Sequence, residues 1–256
     1  MPIRPRSSGD AAVAAANPPL TGRSERAERL AAQSPQQQYA GALHRHLAGM
    51  PQREIDFFVN PRRMEMLERL AGQDLRAPGA EILNAACGPF ALEFYLGLSA
   101  AHITSFDREE RLQPLHRELT NRRLILQSNF KVADVYTFTT PQMFDVVLIN
   151  DLFYSRYIDF YALLPRYAAF VKPGGLLYFD IQDQRAGPLW RAFRKDAEFR
   201  RYDLDDVARV LRDAGFSIEA CEPALGIKGG LDGVVRKAMW GVASLANSYV
   251  FVARKI

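Results

Sequence analysis

The residues best able to do chemistry stand on short turns between apolar runs. In Ile82-Leu83-Asn84-Ala85-Ala86-Cys87-Gly88-Pro89-Phe90 an apolar run passes into a turn of small residues and then into a helix starting near Phe90. Small side chains on such a turn leave backbone N–H groups exposed and let a ligand approach them closely. Asp107 follows Gly88 by 19 residues and closes the run His102-Ile103-Thr104-Ser105-Phe106. A carboxylate so placed can accept two hydrogen bonds from a ribose diol, and it can equally cap a helix beginning at Arg108. Two more runs end in polar groups, at Ala133-Asp134-Val135 and at Asn150-Asp151-Leu152-Phe153.

These turns need a scaffold. Short β-rich runs at Glu81–Asn84, His102–Phe106, Phe130–Ala133, Phe144–Asn150, Leu176–Ile181, Phe216–Cys221 and Ser248–Ala253 alternate with helical stretches. That alternation predicts an α/β fold, an open doubly wound sheet that binds ligands at the carboxyl ends of its strands. One helix carries clear punctuation: Asp203 as cap, Val207, Val210, Leu211 and Ala214 as an apolar stripe, Gly215 as the stop. Residues 36–80 also have helical periodicity, with Tyr39, Leu43 and Leu47 at four-residue steps. Residues 1–35, rich in Ala, Pro, Ser and Arg, have too little apolar surface to offset their chain entropy and are expected to form a disordered tail.

The turn at 82–90, together with Phe144-Asp145-Val146-Val147-Leu148-Ile149-Asn150-Asp151 and Val171-Lys172-Pro173-Gly174-Gly175, resembles the motifs of class I S-adenosylmethionine-dependent methyltransferases, of the type acting on small molecules. The resemblance covers roughly Glu81 to Lys255. Asn84 stands where that family has Asp, Ala86 replaces its first glycine and Phe90 its last. The resemblance implies a Rossmann-like seven-stranded sheet of order 3-2-1-4-5-7-6 with an antiparallel seventh strand, and residues 36–80 as a helical lid on a methyltransferase domain at 81–256. It implies S-adenosyl-L-methionine as cofactor, held by Asn84, Ala85, Ala86, Cys87 and Gly88, by Asp107 and Arg108, by Ala133 and Asp134, and by Asn150, Asp151 and Leu152. A dinucleotide fingerprint would need glycines where Ala86, Gly88 and Ala91 stand, and there is no P-loop.

An activated methyl group needs no covalent nucleophile, so the protein's work is orientation and exclusion of water, with base assistance if the acceptor must lose a proton. Candidate bases are His44 and His46 on the lid and Tyr154 and Tyr157 after the fourth strand. Tyr154, Tyr157 and Tyr161 are spaced for one helical face that walls a pocket or packs on the sheet. A helical insertion at 185–201 interleaves Trp190, Arg191 and Arg194, suited to clamp an anionic or aromatic acceptor; a solvated amphipathic helix is the plainer reading. A second insertion, at 226–246, is apolar enough to cover the acceptor pocket, the lid or a second subunit, the last implying a homodimer.

Composition narrows the classes. The net charge of +4 argues against a nucleic-acid footprint, so a small-molecule acceptor is expected, with an RNA or protein methyltransferase and a non-catalytic binding relative as alternatives. Two cysteines and four histidines suggest neither a disulfide framework nor a metal centre, and a cytoplasmic setting is expected. No apolar run approaches the ~20 residues of a membrane helix.

Overall fold

The alternation seen in the sequence folds into one mixed sheet. A computed structural model describes residues 33–60, 64–97, 99, 101–125, 128–184, 200–224 and 248–256. Its strands are β1 (Glu81–Ala85), β2 (His102–Asp107), β3 (Ser128–Val132), β4 (Phe144–Ile149), β5 (Val171–Gln182), β6 (Phe216–Pro223) and β7 (Ser248–Lys255). Their spatial order is β3-β2-β1-β4-β5-β7-β6. Pairing is parallel from β3 to β5, and β7 runs antiparallel to both β5 and β6. The described helices are α1 (Pro35–His46), α2 (Gln52–Val59), α3 (Glu65–Leu75), α4 (Ala91–Leu96), α5 (Leu112–Asn121), α6 (Phe160–Phe170) and α7 (Leu204–Asp213). The expected tail beyond residues 33–35, most of the 185–201 insertion with Trp190, Arg191 and Arg194, and the 226–246 insertion lie outside the described residues.

The chain divides into two units, Met1–Gln38 and Tyr39–Ile256. In the first, Ser34 and Gln37 form a reciprocal capping box: Gln37 N–H donates to Ser34 Oγ at 3.2 Å and Ser34 N–H to Gln37 Oε1 at 2.9 Å.

In the second unit both faces of the sheet are covered, which is why its central strands read as nearly unbroken apolar runs. Leu83, Val147, Ile149, Leu177 and Phe179 face α6 and α7, packing with Phe160, Leu164, Tyr167, Val207 and Leu211. Ile82, Val146, Leu148, Leu176 and Tyr178 face α3 and α4, packing with Leu67, Ala71, Leu75, Leu92 and Leu96. The punctuation of α7 is as the sequence suggests: Asp203 accepts from the backbone of Asp205 and Asp206, and Gly215 takes a φ of 83°.

The Lys-Pro-Gly-Gly segment fixes the amino ends of the strands. Phe144 pairs with Val171 but Val146 pairs with Leu176, so residues 172–175 bulge opposite Asp145. The carboxylate of Asp145 accepts from Lys172 Nζ at 2.8 Å and from Glu81 N–H at 2.8 Å, fastening the starts of β1, β4 and β5. A Cβ on Gly175 would lie 2.9 Å from Asp145 O, 3.0 Å from Lys172 O and 3.1 Å from Phe144 O. Those are backbone atoms, so the position accepts only glycine without a shift of the strand.

The helices of 36–80 do not all take the same place. α3 belongs to one sheet face, whereas α1 and α2 bring Tyr39, Leu43, Leu47 and Ile55 against Phe90 and against Leu112, Leu115 and Leu119 of α5. Within that layer His116 stands between the rings of Phe90 and Phe130, at 5.2 and 5.8 Å, and its Nε2 is buried without a partner. Burial pushes its pKa down, outweighing a hydrogen bond with the Ser128 backbone.

Two expectations follow. Gly175→Ala is expected to lower unfolding free energy in urea by about 1–3 kcal/mol, the usual cost of overpacking. Because folding holds His116 neutral, the unfolded chain takes up a proton below its ordinary pKa of about 6.5 that the folded chain refuses. Between pH 7.5 and 5.5 the wild type is therefore expected to lose more stability than His116→Phe; equal losses would show that His116 does not contribute.

Candidate functional site

In this sheet order the connections leaving β1 and β4 diverge to opposite sides, which opens a crevice at the carboxyl ends of these neighbouring strands. The backbone is most constrained at that edge. Of the four described non-glycine residues with positive φ, three lie there: Ala86, Phe90 and Asp151, at 52°, 66° and 56°, with Gly88 at 58° between the first two; the fourth, Arg123 at 55°, follows α5. Left-handed backbone costs a residue with a side chain about 1–2 kcal/mol, and strain gathered in one place is a mark of function.

The turn after β1 is held from β2. Cys87 N–H donates to Phe106 O at 3.0 Å, and Gly88 N–H donates to Asp107 Oδ2 at 3.0 Å. Asp107 Oδ1 accepts from Glu109 N–H at 3.0 Å, so this carboxylate both caps its own turn and ties down its neighbour. Each of its oxygens has a second lone pair, so acceptor capacity remains for a ligand. Among the described residues, its chain neighbours aside, no atom comes within 4 Å of where a Gly88 Cβ would sit: the turn is open on that side. Burial, with the carboxyls of Glu93 and Asp107 close by, pushes the Cys87 thiol well up and keeps it protonated.

Beneath the turn lies a polar cluster that sequence reasoning missed. Asn84, 3% exposed, donates from Nδ2 to Glu93 Oε1 at 3.0 Å, and Ser105 Oγ donates to the same oxygen. A single acid within the apolar helix ALEFYL was the available signal for Glu93. Asp180, set in the apolar run of β5, was missed as well. It is 8% exposed, its Oδ1 accepts from Asp151 N–H at 2.7 Å, and its Oδ2 accepts from the hydroxyl of Tyr154.

The other expected site residues divide between this edge and elsewhere. Asn150 and Leu152 are half-buried beside the exposed Asp151 at the end of β4, and Ala85 is fully buried at the end of β1. Arg108 is exposed. β3 stops at Val132, one residue before expected; Ala133 N–H donates to Asp107 O at 2.9 Å, and Asp134 Oδ1 accepts from Tyr136 N–H at 2.8 Å. The three tyrosines do not share a helical face, because α6 begins only at Phe160 and the Asp159 side chain caps it. Burial and the charge of Asp180 push the Tyr154 phenol far up, so it serves as a neutral donor rather than a base. Tyr157 is 73% exposed. His44 is exposed, and His46 Nε2 lies 2.7 Å from Glu118 Oε2 on α5. Burial opposes the Glu118 charge, yet Arg45, His46 and Arg122 hold its carboxyl down to about 2. An open cavity of about 490 Å³ occurs at the opposite edge, lined by Asp74, Pro78, Asp145, Lys172 and Gly174, among the amino ends of the strands. No group of three or more His, Cys, Asp or Glu able to hold a metal is found among the described residues.

The architecture matches solved structures at low sequence identity. Magnesium protoporphyrin IX methyltransferase (ChlM) from Synechocystis PCC 6803 with bound SAH superposes with a TM-score of 0.57 at 15% identity, over 84% of this chain and 93% of that one. The N-methyltransferase NodS from Bradyrhizobium japonicum WM9 in complex with S-adenosyl-L-homocysteine gives 0.56 at 15%, over 85% and 98%. The chain has the class I methyltransferase fold. The [4+2]-cyclase SpnF shares this fold, with a TM-score of 0.53 at 16% identity over 74% of this chain and 79% of that one. No protein-family model and no curated protein matches the sequence.

Within this fold, Phe90 separates strain from packing. It is left-handed and fully buried, so Phe90→Gly and Phe90→Ala both lose the ring and only the glycine relieves the backbone. Both variants are expected to be destabilised by about 3–5 kcal/mol, with Phe90→Gly the more stable of the two by about 1 kcal/mol in chemical denaturation.

Proposed function

We propose that the chain binds S-adenosyl-L-methionine across the carboxyl ends of β1, β2 and β4 and transfers its methyl group to a small-molecule acceptor. One observation carries this reading: the open turn at Gly88 is pinned to Asp107, so a backbone that a ligand can approach closely and a carboxylate with unused lone pairs stand side by side. The bound S-adenosyl ligands of the ChlM and NodS structures support it through the shared fold.

When bound, S-adenosyl-L-methionine supplies an activated methyl group on a sulfonium, and the protein has to place the acceptor in line with it. In this reading Asp107 accepts from the ribose hydroxyls, the 85–88 backbone supports the amino-acid end, and Asp134 and the 150–152 segment line the base. Asp134 Oδ1 already accepts from Tyr136 N–H, and the further lone pairs of that carboxylate are what would meet the ligand. The acceptor side faces Tyr154 and Asp180, whose neutral phenol and engaged carboxylate position groups rather than attack. α1 and α2, seated on Phe90 with Tyr39 Oη donating to Pro89 O at 2.8 Å, act as the lid.

A second reading, a relative that binds the cofactor without methyl transfer, is supported by Ala86 and Phe90 at left-handed positions and by the cyclase among the fold's members. Calorimetry with S-adenosyl-L-methionine and S-adenosyl-L-homocysteine tests both. The wild type is expected to bind each at micromolar concentration and Asp107→Ala about tenfold or more weakly, as for a lost charge-assisted hydrogen bond. No binding at millimolar concentration would sink both readings. Binding without transfer to any of a broad acceptor panel would favour the second.

A further inference from the structure

Glu93 is 1% exposed, and it is the only acid in α4, Ala91–Leu96. One of its oxygens takes two hydrogen bonds while the other, Oε2, is buried with no partner. A carboxyl half unpaired in the interior is unfavourable, and a leucine would be less costly to bury there. What the paired oxygen holds gives the reason for its presence. Asn84 and Ser105 are register partners at the ends of β1 and β2. The bonds that fix the open turn follow within a few residues on the same two strands, from Cys87 to Phe106 and from Gly88 to Asp107.

We propose that Glu93 is the positioning residue of this turn: from α4 it clamps Asn84 to Ser105 through Oε1 and so fixes residues 86–90 against Asp107. The inference rests on the turn as the cofactor seat only for its effect on ligand affinity. Burial pushes the Glu93 carboxyl up, against the pull of Ser105 and Asn84, which hold it through Oε1. Its Oε1 receives both donors. An amide can replace such an acceptor; a hydrocarbon cannot.

Amide exchange on the free protein, together with calorimetry using S-adenosyl-L-homocysteine, tests this. Glu93→Gln is expected to keep the Cys87 and Gly88 amides protected as in wild type and to hold affinity within about threefold. Glu93→Leu leaves two buried donors unpaired, so both amides are expected to exchange about tenfold faster and the ligand to bind about tenfold more weakly, with the amides of β4 and β5 unchanged. Asn84→Asp sets two carboxyls against each other and is expected to weaken binding about tenfold; adding Glu93→Gln supplies a donor and restores it. Wild-type exchange at Cys87 and Gly88 in Glu93→Leu overturns the proposal, as does wild-type affinity in that variant. If Glu93→Leu does not fold, equal exchange in Asn84→Asp and in the double variant overturns it. A wild type that binds no S-adenosyl-L-homocysteine overturns the seat instead, and the exchange measurement still decides whether Glu93 holds the turn.

Discussion

A parallel sheet buried on both faces has polar groups to offer only where its strands end, and that constraint organises the whole of this fold. Between the α3–α4 layer and the α6–α7 layer the middles of β1, β4 and β5 carry almost nothing but apolar side chains. Polar chemistry is pushed to the two edges, which are used differently. At the amino edge Asp145, Lys172 and Gly175 fasten three strand starts, and backbone atoms leave no room for a Cβ at Gly175. At the carboxyl edge the turns carry left-handed residues, unused acceptor lone pairs and an open face at Gly88.

Strain of this kind persists only when its surroundings over-determine it. Here the surroundings can be named. The Gly88 and Cys87 amides are tied to the end of β2, Asn84 and Ser105 are joined through Glu93, and Phe90 is packed from above by α1 and α5. A glycine in place of Phe90 would remove the strain and also the anchor on which the amino-terminal helices rest.

Much of the architecture was legible in the sequence for a definite reason. Seven β-rich runs separated by helical stretches and a capped amphipathic helix at 204–213 are local patterns, and each strand formed within two residues of its expected limits except β5, which begins at Val171 rather than Leu176 and takes the Lys-Pro-Gly-Gly segment in as a bulge. The exceptions are also local in origin. β3 ends one residue early and Asp134 falls in the turn that follows, and three tyrosines with helical spacing lie mostly in a loop because Asp159 starts α6 later. Spacing reports what a helix would do with those residues, not whether a helix is there.

The sequence by itself determined the order of elements, the apolar faces that must be buried and the turns where polar groups stand free, because these depend on neighbours within a few positions. Only the tertiary structure decided which polar groups meet. That Asp107 reaches back to Gly88, that Asn84 turns inward to Glu93 rather than outward, that Tyr154 is committed to Asp180 and that His46 is committed to Glu118 all depend on strand register and helix placement. A side chain's chemistry is fixed by the partner it finds, and those partners lie 9 to 72 residues away along the chain.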